Sequence, residues 1–125
     1  MTKLVDIQGI ALPELLSGRV CLDFTNTVEP RDGIEPNQPS RHADNIDLRD
    51  YVGSYQALVA WGTYAGTIAE DVAERLRTRA RQEPKVAETT LKHALEMRET
   101  IYRIFWNIAH EQAPSSADVQ ALLNA

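Results

Sequence analysis

Between Thr89 and His110 the chain reads TTLKHALEMRETIYRIFWNIAH, with apolar residues at Leu91, Ala94, Leu95, Ile101, Tyr102, Phe105, Ile108 and Ala109. That three-and-four spacing draws one continuous stripe along a helix, so the rest of the chain must pack against it or feed polar groups to it. The stripe has an interruption. Arg98 falls between Leu95 and Ile101 on the same face, and a guanidinium keeps its proton and is costly to bury unpaired. If this face is the core, Arg98 needs a carboxylate and further acceptors.

The segment Val20-Cys21-Leu22-Asp23-Phe24-Thr25-Asn26-Thr27-Val28 offers an acid among apolar residues, with an amide and hydroxyls close behind it. The expectation is that Asp23 pairs with Arg98 and that Asn26 and Thr27 complete the network, since a helix over this stretch puts 23, 26 and 27 on one face. Such a network has two readings. It fixes how two helices dock, the commoner role of an ion pair, or it forms the polar floor of a ligand pocket. On the pocket reading, Arg98 binds an anionic or carbonyl group beside Asn26 and Thr27, with Trp61 and Tyr102 as an aromatic wall. On the other reading, Trp61 and Tyr102 are ordinary core aromatics.

A chain of 125 residues suits one domain, 1–125, able to bury its own core. Its formal charge of -5 argues against holding a nucleic-acid backbone by itself or docking on an acidic partner. Cys21 is the single cysteine, so it forms no internal disulfide and builds no zinc site from thiolates; an inert buried thiol is expected. The first 18 residues have too short an apolar run for a signal peptide or a membrane span, which points to a cytoplasmic protein.

Around the central helix, residues 1–18 read as an extended arm, short strand or hairpin ending in a turn, and Arg19 to Glu29 as a short helix. Residues 29–47 hold three prolines and a glycine without apolar period. A loop of about twenty residues is expected there, with His42 a plain surface side chain. A helix follows from about Leu48 to Ala65, with Asp47 or Asp50 as cap and Gly66 as its stop. Thr67 caps a third helix, Ile68 to about Arg81, in which Arg75, Arg77, Arg79 and Arg81 spread around the axis as a solvated surface. Pro84 suits the first turn of the central helix, and Ser115 or Ser116 caps a last amphipathic segment through Val119, Leu122 and Leu123. That segment reads as a helix still in progress, with more chain expected beyond it. The fold class is mainly α, a compact domain of about five helices with a short N-terminal strand or hairpin.

Gly18-Arg19-Val20-Cys21-Leu22-Asp23-Phe24-Thr25-Asn26-Thr27 resembles the G-R-x-C-L-D-F-x-N-T opening of the ABATE domain, the N-terminal domain of the CGNR zinc-finger family of stress-induced bacterial transcription regulators. Leu58-Val59-Ala60-Trp61 ahead of Gly66, Ala94 to Phe105, and Asp118 to Asn124 extend the resemblance over roughly residues 10–125. It implies a mainly helical regulatory domain that senses a small molecule or mediates association. It further implies that Asp23, Asn26, Thr27 and Arg98 are motif residues. In that family zinc and DNA contact belong to a C-terminal finger bearing Cys-Gly-Asn-Arg, which these 125 residues do not include, so no cofactor and no metal ligand are expected here.

No repeat, phosphate loop, nucleophile elbow or paired carboxylates for acid/base work appear, so no catalytic residue is assigned and an enzyme is not expected. An Asp23 held by arginine would in any case be a poor base near neutrality. The alternative to a ligand sensor is an interaction module, a homodimer formed through Ile104 and Trp106.

Overall fold

The computed structural model of the chain describes residues 3–29, 31 and 49–125. Two hairpins and five helices make up that part: β1 Leu4–Ile7, β2 Ile10–Pro13, α1 Val20–Thr25, β3 Val28–Glu29, β4 Arg49–Asp50, α2 Tyr55–Tyr64, α3 Glu70–Gln82, α4 Pro84–Ala109 and α5 Ser116–Leu123. The mainly helical class expected from the sequence holds.

β1 and β2 pair antiparallel, from Leu4 opposite Pro13 to Ile7 opposite Ile10. Gln8 and Gly9, at φ 54° and 81°, make the two-residue turn whose backbone matches the twist of the strands. The Asp6 carboxylate accepts the Gly9 N–H at 2.9 Å, which fixes that turn. The second hairpin is only two pairs long, Val28 with Asp50 and Glu29 with Arg49.

α4 is the axis of the molecule and packs against α1, α2, α3 and α5. Pro84 opens it, where a missing N–H costs little. The core gathers Leu12, Tyr51, Val52, Ala60 and Trp61, with Ile7, Ile10, Phe24 and Leu95 packed around them. The N-terminal hairpin thus lies on α2.

Several local expectations shift. The helix expected from Leu48 begins at Tyr55, because Arg49 and Asp50 are spent on β4 and the Ser54 hydroxyl accepts the Ala57 N–H as the cap. Asp50 does not cap; its carboxylate takes the Val52 N–H at 3.0 Å and faces α4. Asp47 and His42 lie outside the described residues, as does most of the expected loop. Gly66, at φ 81°, ends α2 as expected: its N–H reaches Thr63 and that of Thr67 reaches Gly62, the paired closure that favours glycine. Thr67 does not cap α3, since its hydroxyl donates to the Gly62 carbonyl and α3 starts at Glu70. Ser115 caps α5 by accepting the Asp118 N–H.

The apolar stripe of α4 is not buried to its end. Phe105 and Ile108 are exposed, whereas Ile104, expected on an outer face, is buried and Trp106 stacks on His110 at 3.8 Å between ring centroids. A homodimer face through Ile104 and Trp106 is therefore not what the surface offers. Cys21 is half-buried rather than fully enclosed. The four arginines of α3 are all bonded to neighbouring side chains, Arg77 to Glu70, Glu74 and Gln8 among them.

Candidate functional site

The buried polar centre of the domain is Arg98, whose side chain is 5% exposed in the middle of α4. Its Nη1 and Nη2 donate to the two carboxylate oxygens of Asp50 at 2.9 and 2.8 Å, the paired fork that suits guanidinium to carboxylate. Nη1 also donates to the Thr27 hydroxyl at 3.3 Å, and Nε to Glu99 at 2.7 Å. Thr27 is fully enclosed and its hydroxyl donates in turn to the Phe24 carbonyl. Four of the five N–H donors of Arg98 are thus committed.

Glu99 extends the network. Its second arginine is Arg31, which donates from Nη1 and Nη2 at 2.9 and 2.8 Å. Arg31 is itself held three further ways: Nε donates to the Thr25 carbonyl at 2.9 Å, the guanidinium lies 4.1 Å from the centre of the Tyr102 ring, and the Tyr102 hydroxyl donates to the Arg31 carbonyl at 3.1 Å. Nearby, the Tyr51 hydroxyl donates to the Glu29 carboxylate and Arg49 lies over the Tyr51 ring.

The charges answer one another. Burial penalises the Arg98 cation, but its hydrogen bonds to Asp50 and Glu99 outweigh that and hold its pKa above the ordinary value. Burial pushes Glu99 up, yet the bonds from Arg31 and Arg98 bring it below the usual carboxylate value. Burial, reinforced by Glu29, raises Tyr51.

Two openings adjoin this network. A groove of about 860 Å³ runs along α4 from Glu88 to Arg103, over Leu91 and Leu95, and reaches Arg98 and Glu99. A smaller cleft of about 260 Å³ lies between the N-terminal hairpin and the turn from α1 into β3, and Arg31 lines it. Arg31 and Arg98 share Glu99, so one carboxylate connects the cleft to the groove.

A family model described as "Putative stress-induced transcription regulator", ABATE, matches residues 18–125. The chain belongs to the ABATE family. No curated protein and no solved structure matches it. No helix among the described residues is long and apolar enough to cross a membrane.

Within the ABATE match, the motif residues do not converge as the sequence led one to expect. Asp23 does not pair with Arg98: its Oδ1 accepts the backbone N–H groups of Leu16 and Ser17 at 3.1 and 3.0 Å, which pins the turn ahead of α1. Asp23 is buried, and the donors that meet its carboxylate are main-chain N–H groups. Asn26 stands exposed on the cleft, outside the Arg98 network. Thr27 does join Arg98. Trp61 packs on Phe24 at 5.1 Å between ring centroids, inside the core, while Tyr102 serves Arg31. Sequence reasoning missed Asp50, Glu99 and Arg31. Glu99 follows Arg98 directly, and adjacent residues on a helix do not usually face each other. Arg31 and Asp50 flank a stretch without hydrophobic period, where no spacing marks a partner.

Proposed function

We propose that this domain is the signal-receiving part of a bacterial cytoplasmic transcription regulator. It binds a small molecule against the Arg31–Glu99–Arg98 network and leaves DNA contact to a C-terminal zinc finger elsewhere in the polypeptide. The observation that supports this reading is the shared carboxylate of Glu99: the same network ties Thr27 and Arg31, on either side of β3, and Asp50 of β4 to α4, and it borders two openings. A molecule seated in either one touches groups that hold the fold together, so occupancy alters the packing of the hairpin on the central helix. Arg98 is a transmitter here rather than the docking group, because four of its five donors are already committed. The net charge of -5 and the pairing of three α3 arginines, Arg75, Arg77 and Arg79, with carboxylates fit a domain that does not itself grip DNA, and membership of a regulator family fits a role without catalysis.

Native mass spectrometry of the purified chain beside its denaturing mass tests this. The expected result is a reproducible excess mass that disappears on denaturation. A bare mass from every expression condition, unchanged by addition of cell extract, overturns it.

An interaction module is the second reading, and a specific observation favours it. α5 buries none of its residues, and Val119, Leu122 and Leu123 form an exposed apolar stripe along it. Sedimentation at high protein concentration decides: a strict monomer removes this reading, and a homodimer supports it.

A further inference from the structure

We propose that the cleft between the β1–β2 hairpin and the α1–β3 turn binds a small zwitterion of α-amino-acid size. This rests on the sensor reading and chooses one of its two openings. Three separated parts of the chain wall the cleft, whereas the groove's described lining comes from α4 alone. At about 260 Å³ it has room for one small metabolite in place of several waters, each of which takes about 30 Å³.

Its charges select the class. Lys3 and Arg31 bring two positive groups and Glu14 and Glu29 two negative ones, so among the described residues the lining balances and carries both signs. An ion of one sign meets a like charge beside each opposite one; a molecule carrying both an ammonium and a carboxylate satisfies both. Lys3 and Glu14 hold each other only loosely, at 3.9 Å with Lys3 79% exposed, and a contact of that kind contributes little to the fold. It opens at small cost, freeing the lysine for a carboxylate and the glutamate for an ammonium.

Two further groups suit a ligand. The Asn26 side chain is exposed on the cleft and makes no hydrogen bond with any described residue, and an amide both donates and accepts. Arg31 has three of its five N–H donors committed to Thr25 and Glu99 and is held in place by Tyr102, and among the described residues its other two donors meet no acceptor. Through Glu99 its position reaches Arg98, which gives occupancy of the cleft a route to the central helix.

The test is an NMR titration of the 125-residue chain with glycine and L-alanine, run beside acetate and methylammonium as the two halves of the zwitterion. Saturable shifts are expected at the Asn26 side-chain amide and Arg31 Nε with the amino acids, and binding at least about tenfold weaker with either half. Asn26→Ala should weaken the amino acids by roughly tenfold or more while leaving the melting temperature unchanged, since the lost bond is to a charged group. Equal shifts with acetate or methylammonium, or no saturable shift at all, overturn the proposal. Shifts confined to Leu91, Lys92 and Leu95, or a native-mass adduct that glycine and L-alanine do not displace, defeat the cleft and leave the sensor reading standing.

Discussion

Arg98 and Asp50 meet through two parallel N–H···O bonds of 2.9 and 2.8 Å across 48 residues of chain, and their burial is unequal: the arginine side chain is 5% exposed, the aspartate 33%. That inequality decides which half of the pair the fold can spare.

Removing Asp50 strands a buried cation with Glu99 and Thr27 as its remaining partners, whereas removing Arg98 leaves a carboxylate that water already reaches. Asp50→Ala should therefore destabilise by about 3 kcal/mol and Arg98→Met by roughly half as much. Urea unfolding of both variants measures the difference. An Arg98→Met loss equal to or larger than that of Asp50→Ala would show that the guanidinium's bonds to Thr27 and Glu99, not the pair with Asp50, matter most.

Glu99 is held below the usual carboxylate value by Arg31 and Arg98, so the folded state resists its protonation more than the unfolded chain does. Its contribution is complete above the unfolded value of about 4.5 and is lost as pH falls through the lower folded value. Stability should fall with acid below about pH 4.5, and Glu99→Gln should flatten that slope while lowering stability at neutral pH. Melting temperatures of the two proteins at a series of pH values give the answer; parallel curves would remove Glu99 from the account.

Gly62 lies in α2 where a side chain has no room. A Cβ built there would sit inside Ile68, against Cδ1 and, at 2.9 Å, Cγ1. Gly62→Ala should cost about 1–3 kcal/mol despite the better helix propensity of alanine, because it pushes the start of α3 away from α2. Pairing it with Ile68→Val should recover part of the loss by thermal unfolding, and no recovery would place the strain elsewhere.

Glu111 closes α4 in the left-handed region at φ 58°, with its N–H on Ile108 and that of Gln112 on Asn107, the geometry that Gly66 supplies after α2. A side chain is strained there and glycine is not, so Glu111→Gly should stabilise by about 0.5–1 kcal/mol. A lowered melting temperature would mean that the Glu111 side chain contributes more than its backbone costs.

The sequence carried the helices well where a local signal sets them. The period of α4, Pro84 at its first turn, Gly66 after α2 and Ser115 before α5 are each legible because the cause lies within a few residues of the effect. Arg98 was legible too, as a charge on an apolar stripe. Its partner was not. A carboxylate must be chosen from 18 acidic residues, and Asp23 stood out only for its apolar neighbours. Those neighbours bury it among main-chain N–H groups that use it first. Asp50 looked like a helix cap, a role that Ser54 fills four residues later, and the pairing of β3 with β4 that delivers Asp50 to α4 is two residue pairs long, too short for any alternation to show.

Residues 98 and 99 each hold a partner far away in sequence, Asp50 at a separation of 48, Arg31 at 68 and Thr27 at 71. Chain closures of that length form after local helices and hairpins during folding. The Arg98–Glu99 contacts should then be late arrivals, absent when the barrier is crossed. In stopped-flow experiments Arg98→Met would leave the refolding rate nearly unchanged and hasten unfolding, so the network acts as a brake on opening the domain rather than as a guide to building it.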